Sequence, residues 1–173
     1  MKVSRMTQPA RNAIAGTLAL AFAGASLLST GEARSETTST VASNKALVQR
    51  SFEAWSAGTG GPYDLLRDDA RWEIVGRSAA SKTYPSREAF LQDVIRPFNA
   101  RMKEPLKPVI REIHGEGDTV VILFDASGVA RDGQPYTNTY SWYLRMENGQ
   151  IVSATAFFDS IAFNDLWSRV NPE

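Results

Sequence analysis

Three turn signals in the second half of the chain constrain its fold more than any other feature. Gly115-Glu116-Gly117-Asp118, Asp132-Gly133 and Asn148-Gly149 punctuate stretches in which apolar and polar residues alternate with period two. Asp-Gly and Asn-Gly tolerate the positive φ of a two-residue hairpin turn, so the spacing predicts four strands, 106–114, 119–131, 134–147 and 150–159, in an antiparallel meander. Helical periods come earlier. Leu47, Val48, Phe52 and Trp55 stripe a helix capped by Asn44, or Ser43 before it, and stopped by Gly58. Pro62 opens a short turn to Leu66, residues 70–76 alternate as a strand, and Ser86 caps a second helix carrying Phe90, Val94 and Phe98. Pro97 should end or kink that helix. Ile161, Phe163, Leu166 and Trp167 close the chain as a final helical turn. Helices followed by a meander define an α+β domain, with the helices covering one face of a curved sheet.

The N-terminus reads differently. Lys2, Arg5 and Arg11 precede an apolar run, residues 13–28, that ends in the small-residue site Gly31-Glu32-Ala33. This is the pattern of a secretory signal peptide, residues 1–33, and the run is short for a transmembrane helix of about 20 residues; a retained anchor is the alternative. No Arg pair precedes the run, which favours the general export route over the twin-arginine one. Residues 34–43 are polar and without apolar period, and read as a flexible leader. Residues 44–173 form one domain, and the expected location is the periplasm or the extracellular space, free of the membrane after cleavage.

Composition narrows the chemistry. Nineteen basic residues balance 19 acidic ones, which lacks the surplus of positive charge a nucleic-acid partner calls for. Cysteine is absent and His114 is the sole histidine, so thiolate nucleophiles, disulfides and paired-imidazole metal sites are excluded. No phosphate-binding glycine loop or metal-binding carboxylate loop occurs, and neither cofactor nor metal is expected. What remains is carboxylates, hydroxyls, amides and aromatics.

If both Gly-containing turns hold two residues, register follows. Asn138 then faces Ser127 on one side and Asp159 on the other, Asp125 faces Tyr140, and Leu123 faces Trp142. One sheet face would carry Asp125, Ser127, Asn138, Tyr140 and Asp159 beside Leu123 and Trp142. The other would carry Ile122, Phe124, Tyr143, Ala154 and Ala156 and present an apolar surface to a second copy of the chain. Asp159, in the apolar run Ala156-Phe157-Phe158-Asp159, is the candidate acid or base; Asp125, Asn138 and Tyr140 are its candidate partners. Trp55, Trp72, Leu123, Ser127, Trp142 and Phe157 are the expected pocket wall. The alternative is that both aspartates are solvated at the rim, with Ser127 and Asn138 bonding across strands.

The order of elements, with Asp68-Asp69-Ala70-Arg71-Trp72-Glu73-Ile74-Val75-Gly76, Gly133-Gln134-Pro135-Tyr136-Thr137-Asn138-Thr139-Tyr140 and Phe157-Phe158-Asp159-Ser160, resembles the SnoaL-like branch of the NTF2-like superfamily. The resemblance covers nearly all of residues 44–168. It implies a cone with helices on the concave face of a strongly curved antiparallel sheet, a hydrophobic cavity, and a homodimer through the outer sheet face. The superfamily includes ketosteroid isomerase, polyketide cyclases, epoxide hydrolases and members without known activity. Asp159 matches the aspartate that ends the last strand, and Asn138 and Tyr140 match a recurrent asparagine and aromatic. Ketosteroid isomerase carries its base where this chain has Ile74, Val75 and Gly76; the epoxide hydrolases pair Arg and Asp two residues apart, whereas Leu123 and Ser127 flank Asp125. The expected ligand is a small, mostly apolar organic molecule. The expected activity is cofactor-independent isomerase, cyclase or hydrolase chemistry with an aspartate as acid or base; the alternative is a non-catalytic ligand-binding or accessory dimeric domain.

Overall fold

The structure, a computed structural model, describes residues 29–172. Helix α1, Ser29–Ala57, leads through a 3₁₀ turn, Pro62–Leu65, into strand β1, Leu66–Ile74. A two-residue strand β2, Thr83–Tyr84, precedes a helical segment of three parts, α2 Arg87–Phe90, a π turn Leu91–Ile95, and α3 Arg96–Ala100. The meander follows as β3 Met102–Glu116, β4 Thr119–Ala130, β5 Pro135–Glu147 and β6 Gln150–Phe158, and helix α4, Ser160–Arg169, closes the chain.

Four differences from expectation have physical causes. Helix α1 starts ahead of Asn44 and includes residues 34–43, read as a flexible leader, because its packing stripe begins earlier. Val41 and Lys45 lie so close over Gly115 of β3 that a Cβ there would stand 2.9 Å from Val41 Cγ1. Pro97 does not end its helix; the π turn just ahead of it re-spaces the hydrogen-bond ladder that the proline interrupts, and α3 runs on to Ala100. The terminal segment forms a complete helix. The sheet is mixed, since β1 pairs with β6 in parallel while the other neighbours are antiparallel, in the order β2-β1-β6-β5-β4-β3. β1 ends and β3 begins at the same end of the sheet, so the α2–α3 segment bridges its two edges there. Bulges along β3 let the sheet curve around the helices.

The signal-peptide reading falls largely on residues 1–28, outside the described residues. Among the described residues no helix is long and apolar enough to cross a membrane.

The core lies in the concavity. Val48 and Phe52 of α1 are buried there, the Phe52 ring centroid 4.8 Å from that of Phe124 and 5.6 Å from that of Trp142. Trp72 stacks on Phe90 at 4.3 Å and meets Trp142 edge-on at 5.0 Å, which couples α2 to the sheet through aromatic contact.

Candidate functional site

Register decides which side chains enter the concavity, and both hairpins depart from the simplest arrangement. The β4–β5 loop has three residues, Arg131-Asp132-Gly133. Gly133, at φ 83°, donates to the Ala130 carbonyl at 2.9 Å, and the strands close through Ala130 N to Gln134 O. Asn138 therefore stands opposite Ala126, Asp125 opposite Thr139, and Trp142 opposite Ile122. The β5–β6 turn, Asn148-Gly149, does hold two residues, both at positive φ. The register then slips at Val152, between the pairs Met146–Ile151 and Arg145–Ser153, and Tyr140 comes to face Phe158.

Each slip moves a whole alternating set to the other face. Ile122, Phe124, Ala154 and Ala156, expected on the outer face, are buried in the concavity with Asn138, Tyr140 and Trp142. Asp125, Leu123, Ser127 and Phe157, expected beside Tyr140 and Trp142, alternate outward. Phe157 is 43% exposed and Asp125 pairs with Arg111 and accepts from Thr139 Oγ1.

Asp159 is exposed and caps α4. Its Oδ1 accepts from Ile161 N at 2.8 Å and from Ala162 N at 3.5 Å. Asn138 meets the main chain of Asp159 rather than its carboxylate, accepting from Asp159 N at 2.9 Å and donating to Asp159 O at 3.0 Å. Asp125, Ser127, Asn138 and Asp159 do converge, with Lys107, on an open depression at the sheet's rim. Tyr140 is not among them.

The apolar site is a cavity of about 290 Å³, open to solvent on one side, between sheet, α1, the 3₁₀ turn, α2–α3 and α4. Trp55, Trp72 and Trp142 of the expected wall line it; Leu123, Ser127 and Phe157 do not. Sequence reasoning missed Tyr63, Asp64, Phe90, Phe98 and Phe163 as lining residues. The signal for the first two was present in Gly60-Gly61-Pro62-Tyr63-Asp64, where Asp64 Oδ2 accepts from Gly61 N at 2.9 Å and fixes the turn.

Two phenols, with Asp64 and Asn99, give the cavity polarity. Tyr140 OH lies 3.0 Å from Tyr136 OH, which accepts from Asn138 Nδ2 at 2.9 Å. The Tyr63 hydroxyl has no hydrogen-bond partner among the described residues. Burial pushes both Tyr63 and Tyr140 well above the usual phenol range, and for Tyr140 the neighbouring Tyr136 and Tyr63 add to it. Both are neutral donors at physiological pH. Trp72 Nε1, unlike the Tyr63 hydroxyl, is fully shielded from solvent, and it has no hydrogen-bond partner among the described residues. Among the described residues no group of three or more His, Asp or Glu side chains is placed to hold a metal ion.

A curved, unclosed sheet wrapped on helices around an apolar cavity defines an NTF2-like protein. The chain belongs to the SnoaL-like domain family, whose model matches residues 48–154. Solved structures of similar fold include an NTF2-like protein of unknown function from Burkholderia pseudomallei, 22% identical with a TM-score of 0.62, covering 73% of this chain and 98% of its own. Bal32a, from a soil-derived mobile gene cassette, is 20% identical with a TM-score of 0.61 over 74% and 98%. TerC, co-crystallised with polyporic acid, is 16% identical with a TM-score of 0.58 over 73% and 98%. At these identities the likeness is one of fold. No curated relative matches the chain.

Proposed function

We propose that this SnoaL-like protein binds a small, mostly apolar molecule in its cavity and holds an oxygen of that molecule through the hydroxyls of Tyr63 and Tyr140. The observation that carries this reading is the Tyr63 hydroxyl, a neutral donor with no hydrogen-bond partner among the described residues, in an aromatic cavity that Tyr140 also lines. Trp72, which lines the same cavity, adds a buried Nε1 donor with no hydrogen-bond partner among the described residues; leaving it unpaired costs about 1–3 kcal/mol, which a ligand oxygen that reached it would recover. The co-crystallisation of TerC, a fold neighbour, with polyporic acid supports a small organic ligand. With Asp159 engaged at the start of α4, the binding reading is better supported than proton transfer by that residue. Mass spectrometry of small molecules released from protein purified from its host tests it. An oxygen-bearing apolar compound at near-stoichiometric yield is expected, with loss of that compound in the Tyr63→Phe, Tyr140→Phe double variant; equal recovery from the variant would overturn it.

Two further readings from the sequence stand as proposals. Export rests on residues 1–33 and is tested by N-terminal sequencing of host-derived protein, which should begin near Arg34. Dimerisation rests on the outer face, where Val109, Tyr143 and Phe157 are exposed, at 66%, 47% and 43%.

A further inference from the structure

We propose that the cavity's ligand carries a positive charge, an ammonium on an apolar body, seated against Asp64; this rests on the binding reading above and names the ligand class. The lining is electrostatically one-sided. Asp64 is the sole charged residue among the described residues that line the cavity, and no lysine or arginine joins it. Asp64 forms no ion pair among the described residues, and only its Oδ2 is engaged, by Gly61 N, which leaves Oδ1 open. It is exposed, so it marks the solvent side of the cavity. Next to it in sequence is Tyr63, whose ring approaches those of Trp55, Trp72 and Trp142 at 5.9–6.2 Å. Trp and Tyr rings present negative faces, and such clusters attract organic cations. The phenols stay neutral, so they oppose no cation, while a carboxylate-bearing ligand would meet the π faces and Asp64 with no countercharge.

The test uses three probes of one shape, 2-(1-naphthyl)ethylamine, 2-(1-naphthyl)ethanol and 1-naphthylacetate, titrated calorimetrically into the protein at pH 7. The amine should bind about tenfold tighter than the alcohol, as an ion pair and cation–π contact together imply, and the carboxylate weakest. Asp64→Asn should bring the amine to within about twofold of the alcohol measured on the same variant. An alcohol that binds as tightly as the amine, or a preference that survives Asp64→Asn, overturns the cationic assignment while leaving the binding reading intact. Binding of none of the three overturns both.

Discussion

The Asn138 side-chain amide is held at both ends by the main chain of Asp159, accepting from its N–H and donating to its carbonyl. Asn138 is buried, and its Nδ2 also reaches the Tyr136 hydroxyl. It ties β5 to the N-cap residue of α4 and to the phenol pair. Replacing it with leucine leaves the Asp159 N–H unpaired and its carbonyl with the Phe163 N–H alone, so Asn138→Leu should cost about 1–3 kcal/mol in urea unfolding and accelerate amide exchange in Ser160–Arg169.

Asp159 serves α4 as a cap. Asn is as good a cap as Asp, so Asp159→Asn should change stability by under about 0.5 kcal/mol, whereas Asp159→Ala should cost about 1 kcal/mol. Neither should alter ligand affinity measured by calorimetry, because the carboxylate faces the rim rather than the cavity. A large affinity loss in Asp159→Asn would restore it as a site residue.

The buried phenols set an alkaline limit. Burial pushes Tyr84 up to about 12 and raises Tyr63, Tyr136 and Tyr140 as well. The folded state therefore prefers the protonated phenol. This stabilisation is fully present below about pH 10, where the unfolded tyrosines titrate, and is lost as pH rises from there through the folded values. Urea midpoints should hold constant from pH 8 to 9.5 and fall steeply between pH 10 and 12. Tyr84→Phe should flatten part of that fall.

Tyr140→Phe keeps the ring stacked on Phe124, whose centroid lies 4.9 Å away, and removes only the hydroxyl. Affinity for an oxygen-bearing ligand should drop about fivefold to tenfold, consistent with one neutral hydrogen bond, while an oxygen-free analogue of the same shape should bind unchanged. Calorimetry with the matched pair separates the two effects.

On the outer face, Phe157→Asp should shift a dimer to monomer in sedimentation velocity at micromolar concentration with little effect on the melting temperature. Phe157 contacts Tyr143 across the face, ring centroids 6.0 Å apart, and neither belongs to the core. A wild-type monomer under the same conditions would remove this interface.

The sequence by itself determined the elements and their kind. Period-two alternation against 3.6-residue periodicity separated strands from helices, and glycine-containing turns placed the breaks, because backbone sterics act over a few residues. The four meander strands fell within a few residues of their observed ends, as did the turn at Pro62 and the cap at Ser86. Trp55, Trp72 and Trp142 were legible as pocket wall because large aromatics on an amphipathic stripe or strand face inward.

Tertiary structure decided register, and register decided the site. Asp-Gly fits a two-residue turn as well as the last positions of a three-residue one, and nothing local to β5 and β6 marks Val152 as the residue to be bulged. One residue of slip in each hairpin exchanged the two faces, taking Ile122 and Ala154 from surface to core and Asp125 from pocket to rim. Asp159 was conspicuous in its apolar run, yet only the turn into α4 gave its carboxylate the helix N–H groups to accept. Tyr63 and Asp64 became site residues because α1, β1 and α2–α3 converge over a loop whose sequence carries no period of its own. Such convergence is summed over the whole sheet's curvature, which no short window of sequence encodes.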